Sequence, residues 1–148
     1  MNYAQNLAAA QETVAEVERA GGRALPIAGD VASEADVLAM FDAVQAQFGR
    51  LDALVNNAGS KGAVDTLTLG LAKELGPRGV RVNAVRPGLI DTEIHASGGK
   101  PERAAQLGAA TPLGRPGSAD EVAETIVWLL SDAASYVAGA LLDVSGGR

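Results

Sequence analysis

Apolar positions change their spacing repeatedly along this chain, and the changes divide it into alternating helical and extended stretches. Leu7, Ala10, Val14 and Val17 recur at helical spacing until Gly21-Gly22 breaks the pattern. Arg23 to Ile27 is a short run of β character. Ser33 is placed to cap a second helix, with Val37, Phe41, Val44 and Phe48 as its inward stripe and Gly49 as its stop. Leu51 to Val55 is an apolar run of strand length, closed by Asn56-Asn57-Ala58-Gly59. Val64, Leu67, Leu71 and Leu75 mark a third helix ending at Gly76-Pro77, and Gly79 to Val85 reads as a strand broken at Pro87-Gly88. Ser118 and Glu121 form a capping box ahead of a helix with Val122, Ile126, Leu129 and Leu130 inward. Ala140 to Val144 is the last strand.

Helices and strands in that alternation predict an α/β fold: a doubly wound parallel sheet with helices on both faces, in one domain over residues 1–148. Ligands of such sheets lie beyond the carboxyl ends of the strands. The loops of interest are therefore Gly29 to Ala32, Asn56 to Gly59, and Arg86 onward. Residues 88–117 interrupt the regular pattern. They are dense in Gly and Pro, with one short helix expected near Pro101 to Leu107, and they read as a substrate lid.

Composition narrows the class. The chain has 148 residues, 47% of them hydrophobic, which suits one folded domain and not a disordered segment. Its net charge of −6 argues against nucleic-acid and anionic-membrane partners, both of which need clustered Lys and Arg. Without cysteine there is no disulfide framework and no thiolate metal site. No signal-peptide pattern stands at the N-terminus, and no apolar run approaches the roughly 20 residues of a membrane span. A cytoplasmic location is the expectation.

The polar loops suit an extended polar ligand lying across the strand ends. Asp30-Val31 offers a carboxylate to a base or ribose. Asn56-Asn57-Ala58-Gly59 offers two amides and a glycine that lets a ligand approach the backbone. Pro87-Gly88 follows the next strand, with Ile90 and Thr92 just beyond. Taken singly, each has a plainer reading. Asp30 and the Asn pair suit turns, Lys61 a solvated charge and His95 a surface loop, and Asp120 and Glu121 suit the start of a helix.

Taken together, the segments Asp30-Val31, Asn56-Asn57-Ala58-Gly59, Ser60-Lys61-Gly62-Ala63-Val64, Gly79 to Gly88 and Asp143-Val144-Ser145-Gly146-Gly147 resemble the short-chain dehydrogenase/reductase family in order and spacing. The resemblance implies a Rossmann-like domain that transfers a hydride between a nicotinamide cofactor and an alcohol or carbonyl. By the same resemblance Asp30 contacts adenine, with Val31 supplying a backbone group. Asn56, Asn57, Ala58 and Gly59 line the adenine-ribose side. Lys61 holds the nicotinamide ribose and lowers the pKa of a catalytic tyrosine. Pro87, Gly88, Ile90 and Thr92 surround the nicotinamide. Asn2 stands at the end of the second strand, where a carboxylate would repel a 2′-phosphate; NADP is therefore expected, with NAD as the alternative. The helix from Lys61 to Leu75 and the C-terminal strand are the expected contacts of a homodimer or homotetramer. No metal site is expected.

The chain also departs from the family pattern. A first strand with a Thr-Gly-x-x-x-Gly-x-Gly loop is missing ahead of Asn2. The family's tyrosine stands four positions before its lysine, and here that position is Asn57. Gly59 and Ser60 are neighbours where the family has a long segment carrying a helix, a central strand, the catalytic Ser and the Tyr. Loss of those strands predicts a sheet unpaired in its middle. A longer parent chain, a shortened reading frame and natural truncation all account for the pattern. The alternative to an enzyme is a non-catalytic nucleotide-binding or dimerisation remnant.

Overall fold

A computed structural model describes residues 1–57, 61–92 and 107–147, with only the backbone of Lys61 included. The junction at Gly59 and Ser60, the expected helix near Pro101 and His95 therefore lie outside the described residues. The chain divides into two compact units, Met1–Leu51 and Asp52–Arg148.

The first unit contains β1 (Asn2–Tyr3), α1 (Leu7–Arg19), β2 (Ile27–Ala28) and α2 (Glu34–Phe48). β1 and β2 pair in parallel, Asn2 opposite Ile27 and Tyr3 opposite Ala28. The caps are local and follow the sequence. Asn6 Oδ1 accepts from Ala9 N–H, Ser33 accepts from Asp36 N–H, and Gly49 ends α2 with a φ of 74°, a left-handed conformation that glycine adopts without strain. Burial is thinner than the stripes predict. Ala10 is buried, but Leu7 is 46% exposed and α2 has no buried residue. A ladder of two residues per strand offers too little surface to cover both helices.

The second unit contains β3 (Ala53–Asn56), α3 (Lys61–Leu75), β4 (Arg81–Pro87), β5 (Ile90–Asp91), β6 (Gly117–Ser118), α4 (Ala119–Leu130) and β7 (Leu141–Val144). Its main sheet runs β3-β4-β7, all parallel. Strand side chains alternate between faces, and the two helices divide those faces. Val85 packs with Val122 and Leu129 of α4. On the other face Arg86 reaches Asp65 of α3. This is the expected Rossmann-like arrangement of helices on both sides of a parallel sheet.

Three details differ from the sequence reading. β3 and β4 are direct neighbours, with Ala53 opposite Arg81 and Asn56 opposite Ala84, so the sheet is not left unpaired at this point. Parallel strands need only matched extended backbone to bond, and these two supply it. The inward face of α3 is rotated: Leu67 is 43% exposed while Thr68 is fully buried. Thr68 tolerates burial because its hydroxyl donates to Val64 O at 2.7 Å and accepts from Asn56 Nδ2 at 3.0 Å. Leu130, expected inward, is 49% exposed, because α4 ends at that residue. Beyond β4, β5 and β6 pair in parallel, with Gly117 N–H donating to Leu89 O at 2.9 Å. The two ends of the long segment after Pro87 are thereby joined at its base.

Candidate functional site

The carboxyl ends of β3, β4 and β7 lie side by side in the second unit, and the residues singled out from the sequence sit at or just past two of them. Asn56 is the last residue of β3, half-buried, with its amide tied to Thr68. Asn57 follows and is exposed. Ala58 and Gly59 lie outside the described residues. Lys61 opens α3. Pro87 ends β4, and Gly88 N–H donates to Val144 O at 2.9 Å, which fastens the end of β4 to the end of β7. Thr92 is exposed, whereas Ile90 packs against the core around Val85.

Asn2, Asp30 and Val31 belong to the first unit. Asn2 Nδ2 donates to Gly29 O at 2.9 Å and lies 3.3 Å from Ile27 O, knitting β1 to the end of β2. Asp30 Oδ1 accepts from Ala32 N–H at 2.9 Å, an Asx turn, and Asp30 N–H donates to Asp36 Oδ2 at 2.8 Å. Val31 is 54% exposed.

Several residues to which the sequence assigns no role organise the strand ends. Asn83, buried in β4, donates from Nδ2 to Val137 O and accepts at Oδ1 from Ala140 N–H, each at 3.0 Å. It shapes the approach into β7. Arg86 holds Asp143 with two bonds, Nε to Oδ1 at 2.8 Å and a terminal nitrogen to Oδ2 at 2.6 Å. Its other terminal nitrogen reaches Asp65 Oδ2 at 3.1 Å. Hydrogen bonds to Asp143, and then to Asp65, raise the Arg86 pKa above its ordinary value. Gly88 is a glycine for a reason within the protein: a Cβ there would stand 2.6 Å from Ser145 Cα. Asn83 and Arg86 were visible only as letters of a motif, and no local spacing signals their roles.

Beyond β7 a cavity of about 330 Å³ opens between Leu113, Arg115, Glu121, Asp143 and Ser145. Its wall is braced by Leu113 N–H donating to Gly146 O at 3.2 Å and by the Arg115–Glu121 pair, with bonds of 2.8 and 2.6 Å. Glu121 is pulled down to about 2, first by the Arg115 guanidinium and then by Ser118 N–H.

Family models match this chain along its whole length. Residues 1–60 match the short chain dehydrogenase model and residues 58–148 the model described as enoyl-(acyl carrier protein) reductase. The chain belongs to the short-chain dehydrogenases/reductases. It is therefore a member of an oxidoreductase family. An uncharacterized oxidoreductase of Escherichia coli, YgfF, is 36% identical, with all of this chain and 88% of that protein covered. A short-chain dehydrogenase/reductase from Serratia marcescens is similar at 27% identity and a TM-score of 0.80, covering 99% of this chain and 85% of that one. A short chain dehydrogenase from Burkholderia cenocepacia, solved in complex with NADP, has 25% identity, the same coverage and a TM-score of 0.80. The match to the E. coli protein runs over 218 positions against 148 residues here, so 70 of those positions have no counterpart in this chain. The two family models meet at residues 58–60, where the sequence places Gly59 beside Ser60.

Proposed function

We propose that this chain binds NADP(H) across its strand ends and serves hydride transfer between that cofactor and an alcohol or carbonyl compound. The observation that carries the reading is the row of carboxyl strand ends at Asn56, Pro87 and Val144, with α3 opening at Lys61 just past β3. Parallel sheets bind nucleotides at such edges. The similar Burkholderia protein, solved with NADP, supports the choice of cofactor. So does the lack of a carboxylate at Asn2-Tyr3, where an acidic side chain would repel a 2′-phosphate.

The residues present suit such a ligand. Asp30 and Val31 are exposed beyond β2 and would receive the adenine. Asn56, Asn57, Ala58 and Gly59 would line the ribose. Asn57, Gly88 and Thr92 present polar atoms or bare backbone to solvent. Lys61 would hold the nicotinamide ribose, and Pro87, Gly88, Ile90 and Thr92 would orient the ring. When bound, the nicotinamide supplies or accepts the hydride. Residues 88–117, joined at their base by β5 and β6, would cover the substrate and keep water from it. We extend the reading to a cytoplasmic protein working as a two-fold homodimer or homotetramer, which light scattering reads directly.

A second reading has its own support. β3 and β4 pair directly, and the position four before Lys61 is Asn57, whose amide cannot exchange a proton with a carbonyl oxygen as the family's tyrosine would. On that reading the chain is a nucleotide-binding or dimerisation module without turnover. One preparation separates the two. NADPH fluorescence titration should give saturable binding tighter than that of NADH, and an assay with NADPH and simple ketones should give turnover. Binding without turnover selects the module. Tighter NADH binding, or no binding of either, overturns the cofactor assignment.

A further inference from the structure

The start of α3 is held to the sheet by charge. Asp65 lies one helical turn after Lys61. Its Oδ2 takes the Arg86 bond, and its buried Oδ1 has no partner among the described residues. Arg86 is the next-to-last residue of β4, and its register partner on β7 is Asp143, the residue it grips with two bonds. Three elements thus meet at one guanidinium: two parallel strands at their carboxyl ends and the first turns of the helix that Lys61 opens. The three side chains are 27%, 22% and 52% exposed, so the inner Arg86–Asp65 contact is the better shielded of the two. A planar fork held by two bonds on one carboxylate keeps its third direction fixed, which an ammonium group would not do.

We infer that Arg86 is a positioning residue, which sets the place of Lys61 at the strand ends by clamping Asp65 of α3 to Asp143 of β7. It needs no contact with cofactor or substrate. The bare alternative is that the cluster only stabilises the fold, and α3 itself distinguishes the two. Lys73 lies on the same helix, exposed, three turns further along. A loss of general stability loosens both lysines together. Release of the clamp moves Lys61 and leaves Lys73 alone, because α3 is otherwise fastened by Thr68 and its packing on β4.

The test uses the full chain and acetic anhydride, with the acetylation rates of Lys61 and Lys73 read by peptide mass spectrometry. In Arg86→Met and Asp65→Asn the ratio of the Lys61 to the Lys73 rate should change by at least about threefold, in the same direction, as expected when one helix end gains local freedom. Arg86→Lys should restore the ratio only in part, because it keeps the charge and loses the fork. An unchanged ratio, parallel changes at both lysines, or full restoration by Arg86→Lys overturns the inference. Should Arg86→Met fail to fold, Asp65→Asn keeps the side-chain shape and carries the same comparison. The inference rests on the role given to Lys61 above, and a second arm tests that role separately. NADPH should slow acetylation of Lys61 in the wild-type chain. Without that protection the cofactor role of Lys61 fails, while the ratio in the variants still decides the clamp.

Discussion

Gly88 illustrates how one residue type answers to two demands. Its place in a Pro-Gly pair at a strand end suggests close approach of a ligand, yet the structure fills the space where its Cβ would go with Ser145. Gly88→Ala puts a methyl group 2.6 Å from a backbone carbon, and the ends of β4 and β7 must part to admit it. The expected cost is about 1–3 kcal/mol, the usual range for overpacking, measurable as a lower urea midpoint. An unchanged midpoint with weakened NADPH binding assigns the glycine to the ligand instead. Asn83 and Thr68 carry a related lesson. Both are polar and fully buried, whereas hydrophobic periodicity ranks polar residues as outward. Apart from Val64 O, one turn before Thr68, their partners (Val137 O, Ala140 N–H and Asn56) are distant in sequence and bring no local signal. Asp30 stands the other way round, its turn geometry legible from the sequence and present in the structure.

Helix ends were the most legible elements, because capping is settled within four residues. Ser33, Gly49 and the Ser118/Glu121 box all stand where the sequence puts them. The C-terminus of α4 was not legible. It has no basic residue in its last turn, and the cation comes instead from β4, where the Arg81 guanidinium bonds Leu129 O and lies 3.3 Å from Leu130 O. At the other end of α4, Glu121 joins the capping box to Arg115 and gives the helix a pH dependence. Its pKa lies at about 2 against an ordinary 4.5. The folded state therefore binds the proton more weakly than the unfolded chain. The stabilisation is complete above the ordinary value and drains away as pH falls from there toward 2. Urea midpoints measured between about pH 5 and pH 2.5 should fall more steeply for the wild type than for Glu121→Gln. Parallel slopes would remove the Arg115–Glu121 pair from any part in acid stability.

For the molecule as a whole, the alternation of periods foretold parallel strands and helices on both faces, and the second unit has them. What it could not foretell is which strands are neighbours. Strand order depends on how a sheet closes across its crossovers, and the sequence around Gly59 and Ser60 predicts a gap where β3 and β4 bond. That pairing has a direct signature in hydrogen exchange. Arg81 N–H donates to Asp52 O, and Ala84 N–H donates to Ala140 O. Because amides alternate in direction along a strand, the odd-numbered amides of β4 turn toward β3 and the even-numbered ones toward β7. With both neighbours in place, Asn83 and Val85 should exchange as slowly as Ala84, within about tenfold, since all open in the same cooperative event. Were β3 not bonded to β4, Asn83 and Val85 would lose their acceptors while Ala84 and Arg86 kept theirs. The protein would then show fast odd and slow even amides along one strand. That pattern would return the chain to an incomplete sheet and revive the need for a strand between Asn56 and Arg81.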